Sequence, residues 1–177
     1  MNFYCRYCLL AVILGCLPAI SPAEEGAGWF DNYIPPEKWK ESAVTVPPWP
    51  EQDDLLEIPM DRTDYPFRGY VDSKSLSIGA DGVVRYALVI VSSSGTWNAS
   101  YEGMRCGKEE YRRYAYGTGR QWQQVVGSAW QRILDGGTGR YRKTLYQDYL
   151  CNVAGANPDV REIVDRIRYQ RGSFQDD

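Results

Sequence analysis

Cys106 lies in the stretch NASYEGMRCGKEEYRRYAYG, residues 98–117, with Glu102 four positions before it and Arg105 and Lys108 on either side. A thiol flanked by two cations has the electrostatics of a lowered pKa, and so of a nucleophile or redox centre. It is equally well placed to be one half of a structural cross-link. The chain has no histidine among its 177 residues. That removes the usual base for a thiol or serine nucleophile and the commonest zinc ligand. A Ser-Lys arrangement of Ser92, Ser93 or Ser94 with Lys108 is chemically allowed, but three serines ending in Gly95 read better as a turn. A carboxylate pair for glycoside hydrolysis could be drawn from Glu102, Glu109, Glu110 and Asp135, although charged residues near strand ends are normally solvated. The acids in EQDD at 51–54 are too sparse for a calcium loop. The segment GTGR occurs at 117–120 and again at 137–140. Neither copy continues into a phosphate-loop pattern, so both are expected to be threonine-capped turns preceding helices. No catalytic residue, metal or cofactor is assigned.

What lies N-terminal to this stretch decides the fate of the cysteine. Arg6 is followed by the apolar run CLLAVILGCLPAI and by Ser21-Pro22-Ala23, the pattern of a signal peptide occupying residues 1–23. The run is short for a membrane span, and no second long apolar run follows, so the mature chain is expected to have no transmembrane helix. ILGC at 13–16 offers a second route, lipidation of Cys16, which ranks behind cleavage after Ala23. Cleavage after Ala23 discards Cys5, Cys8 and Cys16, and with them the Cys-x-x-Cys pair that mimics a redox or zinc motif. Cys106 and Cys151 remain, and two cysteines in an oxidising compartment pair with each other. A bridge closing that long loop contributes about 4 kcal/mol in the chain-entropy model.

Composition places the chain among globular proteins: 44% of its 177 residues are hydrophobic, and six Trp and fourteen Tyr must supply much of the buried area. A formal net charge of -3 speaks against nucleic-acid binding. The charge is unevenly spread. Residues 24–81 hold thirteen acids and five bases, whereas residues 82–177 hold ten acids and fourteen bases. An acidic segment lying across a basic body accounts for this; a basic face kept for an anionic partner is the alternative. Residues 24–64 are rich in proline and tryptophan, and form an expected arm that is extended yet packed through Trp29, Phe30, Tyr33, Trp39 and Trp49.

Residues 65–177 are expected to form one α+β domain. VVRYALVIVS at 83–92 is apolar on both faces, with Val84, Tyr86, Leu88 and Ile90 on one side, which marks a central strand. Asp81-Gly82 before it and SSSG after it are turns. A strand from Thr96 to Cys106 alternates Trp97, Ala99 and Tyr101 with Asn98, Ser100 and Glu102, with a bulge at Gly103. Residues 109–116 make the next strand. Trp122, Val125, Val126, Ala129, Trp130, Ile133 and Leu134 then recur at helical spacing, behind a Thr118–Gln121 capping box and before Gly136-Gly137. Further helices are expected over residues 140–150 and from Asn157-Pro158, with Val160, Ile163, Val164 and Ile167 as the last apolar stripe. The predicted architecture is an antiparallel sheet of three to five strands packed with C-terminal helices, with the arm as a strap.

GWFDNYIPPEKWKE, RYALVIVSSSGTWNASYEGMRC and LYQDYLC together resemble the CNP1-like family over residues 29–151. These are small exported proteins of Gram-negative bacteria with no assigned chemistry. The resemblance implies export and supports the pairing of the two cysteine motifs, and it brings no catalytic residues. The leading functional expectation is an uncharacterised periplasmic or secreted protein of the cell envelope, a non-catalytic module that binds an envelope protein or wall component. Trp97, Tyr101, Arg105 and Arg113 are its candidate surface. The alternatives are a carboxylate-based glycan hydrolase and a lipid-anchored assembly factor.

Overall fold

A computed structural model describes residues 38–59, 67–136, 139–152 and 158–171. The proposed signal peptide, the first part of the arm, Thr138 and Asn157 lie outside the described residues. Strands β1 (Leu55–Ile58), β2 (Arg68–Ile78), β3 (Val84–Val91), β4 (Trp97–Arg105), β5 (Glu110–Thr118) and β6 (Gln121–Gln124) pair antiparallel in that order. The short β7 (Gln131–Arg132) pairs with the far end of β5 beside Tyr111 and Glu110. Among the described residues the sheet thus has seven strands, more than the three to five expected. The additional pairing comes from β1 and from the segment after β5.

β3 is the central strand that its sequence describes. Val84, Tyr86 and Leu88 enter one core with Val71, Met104 and Ile58, while Ala87 joins Tyr101, Tyr114 and Ala115 on the opposite face. The first core is closed by helix α1 (Arg140–Thr144), a π-helical continuation (Leu145–Leu150) and α2 (Val160–Arg168), which contribute Leu145, Tyr149, Leu150, Ile163 and Ile167. The second is closed by chain without regular secondary structure, from which Val44 and Val46 pack onto the sheet. α2 is capped by Asp159, whose Oδ1 accepts the Glu162 N–H at 2.9 Å. The cap therefore falls one residue after Pro158, and Pro158 precedes the helix instead of opening it. Glu162 and Arg166 pair at 2.6 Å on its outer face, at the favourable i, i+4 spacing.

Cys106 and Cys151 form a disulfide with Cα atoms 5.6 Å apart, both residues buried. It ties the end of β4 to the end of the π-helical turn.

The helix expected across residues 122–134 is absent, and the capping box with it. Thr118 pairs with Gln121 across a hairpin, and β6 and a loop follow. The apolar residues of the stripe go to separate places. Trp122 packs on Trp49, Trp130 on Trp39, and Ile133 enters the helix-side core. Val126 and Leu134 remain 95% and 68% exposed. Gly127 at φ 70° also interrupts a helix. Burial of indoles against a distant segment outweighs local periodicity here.

On the arm side the ionic contacts are as extensive as the apolar ones. Glu41 accepts from Arg112 and from the Tyr114 hydroxyl, both at 2.6 Å. Asp81 binds Arg85 through both oxygens at 3.1 and 2.5 Å and accepts the Ser42 N–H at 2.8 Å. Burial raises the Asp81 pKa, but Arg85 and the N–H groups of Ser42 and Val83 outweigh it and hold the group at about 2, against an ordinary 3.8.

Two measurements test this architecture. Replacing both cysteines, C106A/C151A, is expected to lower unfolding free energy in urea by about 2–5 kcal/mol. A change below about 1 kcal/mol would show that the bridge is dispensable. The Asp81 carboxyl is deprotonated more readily folded than unfolded, so its stabilisation is complete above pH 3.8 and is lost as pH falls toward 2. The acid limb of the stability–pH curve should therefore flatten in D81N relative to wild type over that window.

Candidate functional site

Among the described residues two clusters of polar and aromatic side chains stand out, one buried and one open. The buried one centres on Glu102. The β4–β5 pairing shifts register between Tyr101 and Glu102, with Tyr114 as the extra residue of β5. This is one residue before the expected bulge at Gly103, where any Cβ would overlap the Tyr114 hydroxyl. Beyond the shift Glu102 points to the helical side and is completely buried. Arg142 of α1 grips it through two bonds of 2.8 and 2.6 Å, Ser100 donates at 2.9 Å, and Arg113 approaches at 3.3 Å. Tyr111 and Tyr141 lie against the Arg142 guanidinium, at 4.0 and 4.6 Å from their ring centroids. Burial pushes the Glu102 pKa up, but Arg142 and then Arg113 overcome it and hold the carboxyl below its usual range. Burial also pushes the Tyr86 hydroxyl, 3.4 Å from the carboxylate, well above the ordinary tyrosine pKa.

The other three carboxylates named as catalytic candidates are also engaged. Glu110 pairs with Arg105 at 3.0 Å, and Lys143 lies 3.2 Å from Asp135 and 3.8 Å from Glu109. Ser92 and Ser94 hydrogen-bond each other in the β3–β4 turn.

The open cluster lies where the β3–β4 and β5–β6 turns meet at one end of the sheet. A cleft of about 300 Å³ is lined there by Trp49, Gly95, Thr96, Trp97, Gly119 and Arg120. Trp49 is set in place by the adjacent prolines and by Trp122, whose ring centroid is 4.9 Å away. It rests on Gly117, where a Cβ would also run into the Gln121 carbonyl of the paired strand. Trp97 opens β4 and is half-buried. On another side of Trp49 a second cleft, about 240 Å³, is lined by Pro47, Pro48, Pro50, Glu51, Asp54, Asp72, Lys74 and Ser75. Its Asp72 is buried, and desolvation raises its pKa. The carboxylate accepts the Lys74 N–H at 3.1 Å within the β2 bulge.

The four surface residues chosen from sequence are dispersed. Trp97 lines the cleft. Tyr101 is buried beneath the arm beside Tyr114, with ring centroids 5.7 Å apart. Arg105 stacks on Trp39 at 3.9 Å and lies 5.3 Å from Trp130. Arg113 is on the opposite face with Glu102. Trp49 and Arg120 were missed as neighbours of Trp97. The first GTGR copy held the signal for Arg120, since it forms a hairpin turn and not a helix cap.

Taken together these contacts describe a small disulfide-bonded domain, an antiparallel sheet with helices on one face and an aromatic arm on the other. The chain belongs to the CNP1-like family, whose model matches residues 35–168. No curated protein and no solved structure matches it.

The Glu102–Arg142 pair supplies a third prediction. E102Q leaves a buried guanidinium without its countercharge and should cost about 3–5 kcal/mol in chemical denaturation. The double replacement E102L/R142M should be less destabilised than E102Q alone. The reverse order would mean that the pair itself, and not the avoidance of an orphan charge, supplies the stability.

Proposed function

We propose that this chain is an exported, periplasmic binding module of the cell envelope, without catalytic activity of its own, that holds a wall component in the cleft of Trp49, Trp97 and Arg120. The observation that carries the reading is the cleft. Two indoles from separate segments, an arm residue and the first residue of β4, line one concave surface with a cation. Large aromatic faces with a few convergent polar groups are the usual makeup of a ligand site. Three further features support it. The first 23 residues have the pattern of an export signal. The Cys106–Cys151 bridge suits an oxidising compartment. Glu102, Glu109, Glu110 and Asp135 are engaged by cations, which leaves them poorly suited to acid–base work. Among the described residues no helix is long and apolar enough to cross a membrane.

Glycan hydrolysis is the second reading, and it rests on the neighbouring cleft. There the raised pKa of Asp72, with Asp54 close enough to add to it, resembles the environment of a general acid.

One experiment separates the two. The purified protein is sedimented with isolated peptidoglycan sacculi, and the supernatant is assayed for released sugar fragments. Binding is expected to fall about ten-fold or more in W97A, an aromatic truncation at a site centre, with no fragments released. Release that D72N abolishes would favour hydrolysis, and wild-type protein that stays in the supernatant would reject the wall-binding reading.

A further inference from the structure

Arg120 sits at φ 66°, in the left-handed region that glycine adopts freely and a residue with a Cβ does not. Its predecessor Gly119 has φ 63°, so the β5–β6 hairpin turns through two left-handed residues, a turn that favours Asn-Gly or Gly-Gly. Arginine brings no advantage to the turn itself. Nor does it gain a protein partner there. Among the described residues no ion pair or hydrogen bond engages its guanidinium. By contrast Arg85, Arg105, Arg112, Arg113 and Arg142 each hold a carboxylate. This exposed, strained and unneutralised cation lines the same cleft as Trp49 and Trp97.

We propose that Arg120 is the anion receptor of the cleft and that the ligand is a carboxylated sugar, an acidic unit of a glycan chain. The inference rests on the wall-binding reading above and narrows it to one ligand class. The indole rings offer flat apolar faces of the kind that pack on the C–H face of a sugar ring. The guanidinium offers a planar fork that matches a carboxylate in a bidentate pair. Gly95 and Gly119 leave the walls between them without side chains, so a ring can approach the backbone. The positive φ at Arg120 is then strain kept for a functional contact.

The test is calorimetric titration of the disulfide-intact protein with three probes: oligogalacturonate, its neutral methyl ester, and oligoglutamate. Oligogalacturonate is expected to bind about ten-fold more tightly than the ester, the worth of one charge-assisted contact, and to weaken with added salt. R120Q should reduce binding of the acidic sugar to the level of the ester and leave the ester unaffected. R120G should do the same while its Tm stays unchanged or rises, because glycine relieves the left-handed turn. A lower Tm would show that the arginine serves the fold. Equal affinity for acid and ester, or wild-type affinity in R120Q, would overturn the assignment. Oligoglutamate binding as tightly as the acidic sugar would overturn the sugar. Any of these, with sacculi still bound, leaves the wall-binding reading standing. Failure to bind both the probes and the sacculi removes both.

Discussion

A carboxylate with no solvent contact, Glu102, fixes how the two halves of this protein meet. Taking Glu102 and Arg142 out of water costs several kcal/mol each, and only near-complete satisfaction of both groups offsets it. The structure provides that satisfaction from three elements. β4 supplies Ser100 and Glu102, β5 supplies Arg113, and α1 supplies Arg142. Each partner must sit within a few tenths of an ångström of its place, so the helical segment has one way to dock on the sheet. The disulfide reinforces this from the other end, because Cys106 follows β4 directly and Cys151 follows the helical turn. Between these two tethers Leu145, Tyr149 and Leu150 pack against β3 and β4.

The opposite face of the sheet solves the same problem with different chemistry. Among the described residues its buried cluster is small, Ala87, Tyr101, Tyr114 and Ala115, and residues of the strap pack against it. The strap brings Val44, Val46, Trp39 and Trp49, and also Glu41, which meets Arg112, Tyr114 and, at 3.9 Å, Arg85. Glu41 and Asp81 thus join the acidic segment to bases of the strands beneath it. Asp81 belongs to the same network, and its low pKa reflects one cation, Arg85, and the N–H groups of Val83 and of Ser42 on the strap.

Some of this was legible from residue order alone, and the boundary is physical. β3 could be read because both of its faces are apolar, a pattern that needs no knowledge of partners. The cysteine pairing could be read because Cys106 and Cys151 are the two cysteines outside the segment that reads as a signal. The alternation in β4 was read correctly, but its polar face was taken as solvated. Glu102 is instead the most buried acid among the described residues, and Arg142, forty positions away, completes it. Nothing local to Glu102 announces that contact. Residues 122–134 failed for a related reason. Their apolar spacing fits a helix, yet Trp122 and Trp130 are held by Trp49 and Trp39 of the arm, and a one-dimensional period does not register such pairings. The four candidate surface residues are dispersed for the same reason, since Tyr101, Arg105 and Arg113 share a sequence neighbourhood with Trp97 but face different layers.

That dispersal sharpens the case for the cleft. In a sheet covered on both faces, most aromatic and cationic side chains are spoken for by packing. Arg105 lies between two indoles, Arg113 leans on Glu102, and Tyr101 is beneath the strap. The cleft lies at the end of the sheet, where Gly95, Thr96 and Gly119 leave short side chains beside Trp49 of the strap. Trp97 and Arg120 stand there because their strands begin there, and Trp49 joins them because Gly117 lets its ring reach the sheet. A site at this position can vary in its turn residues without disturbing the Glu102 centre or the disulfide, so recognition and stability are carried by separate parts of one small fold.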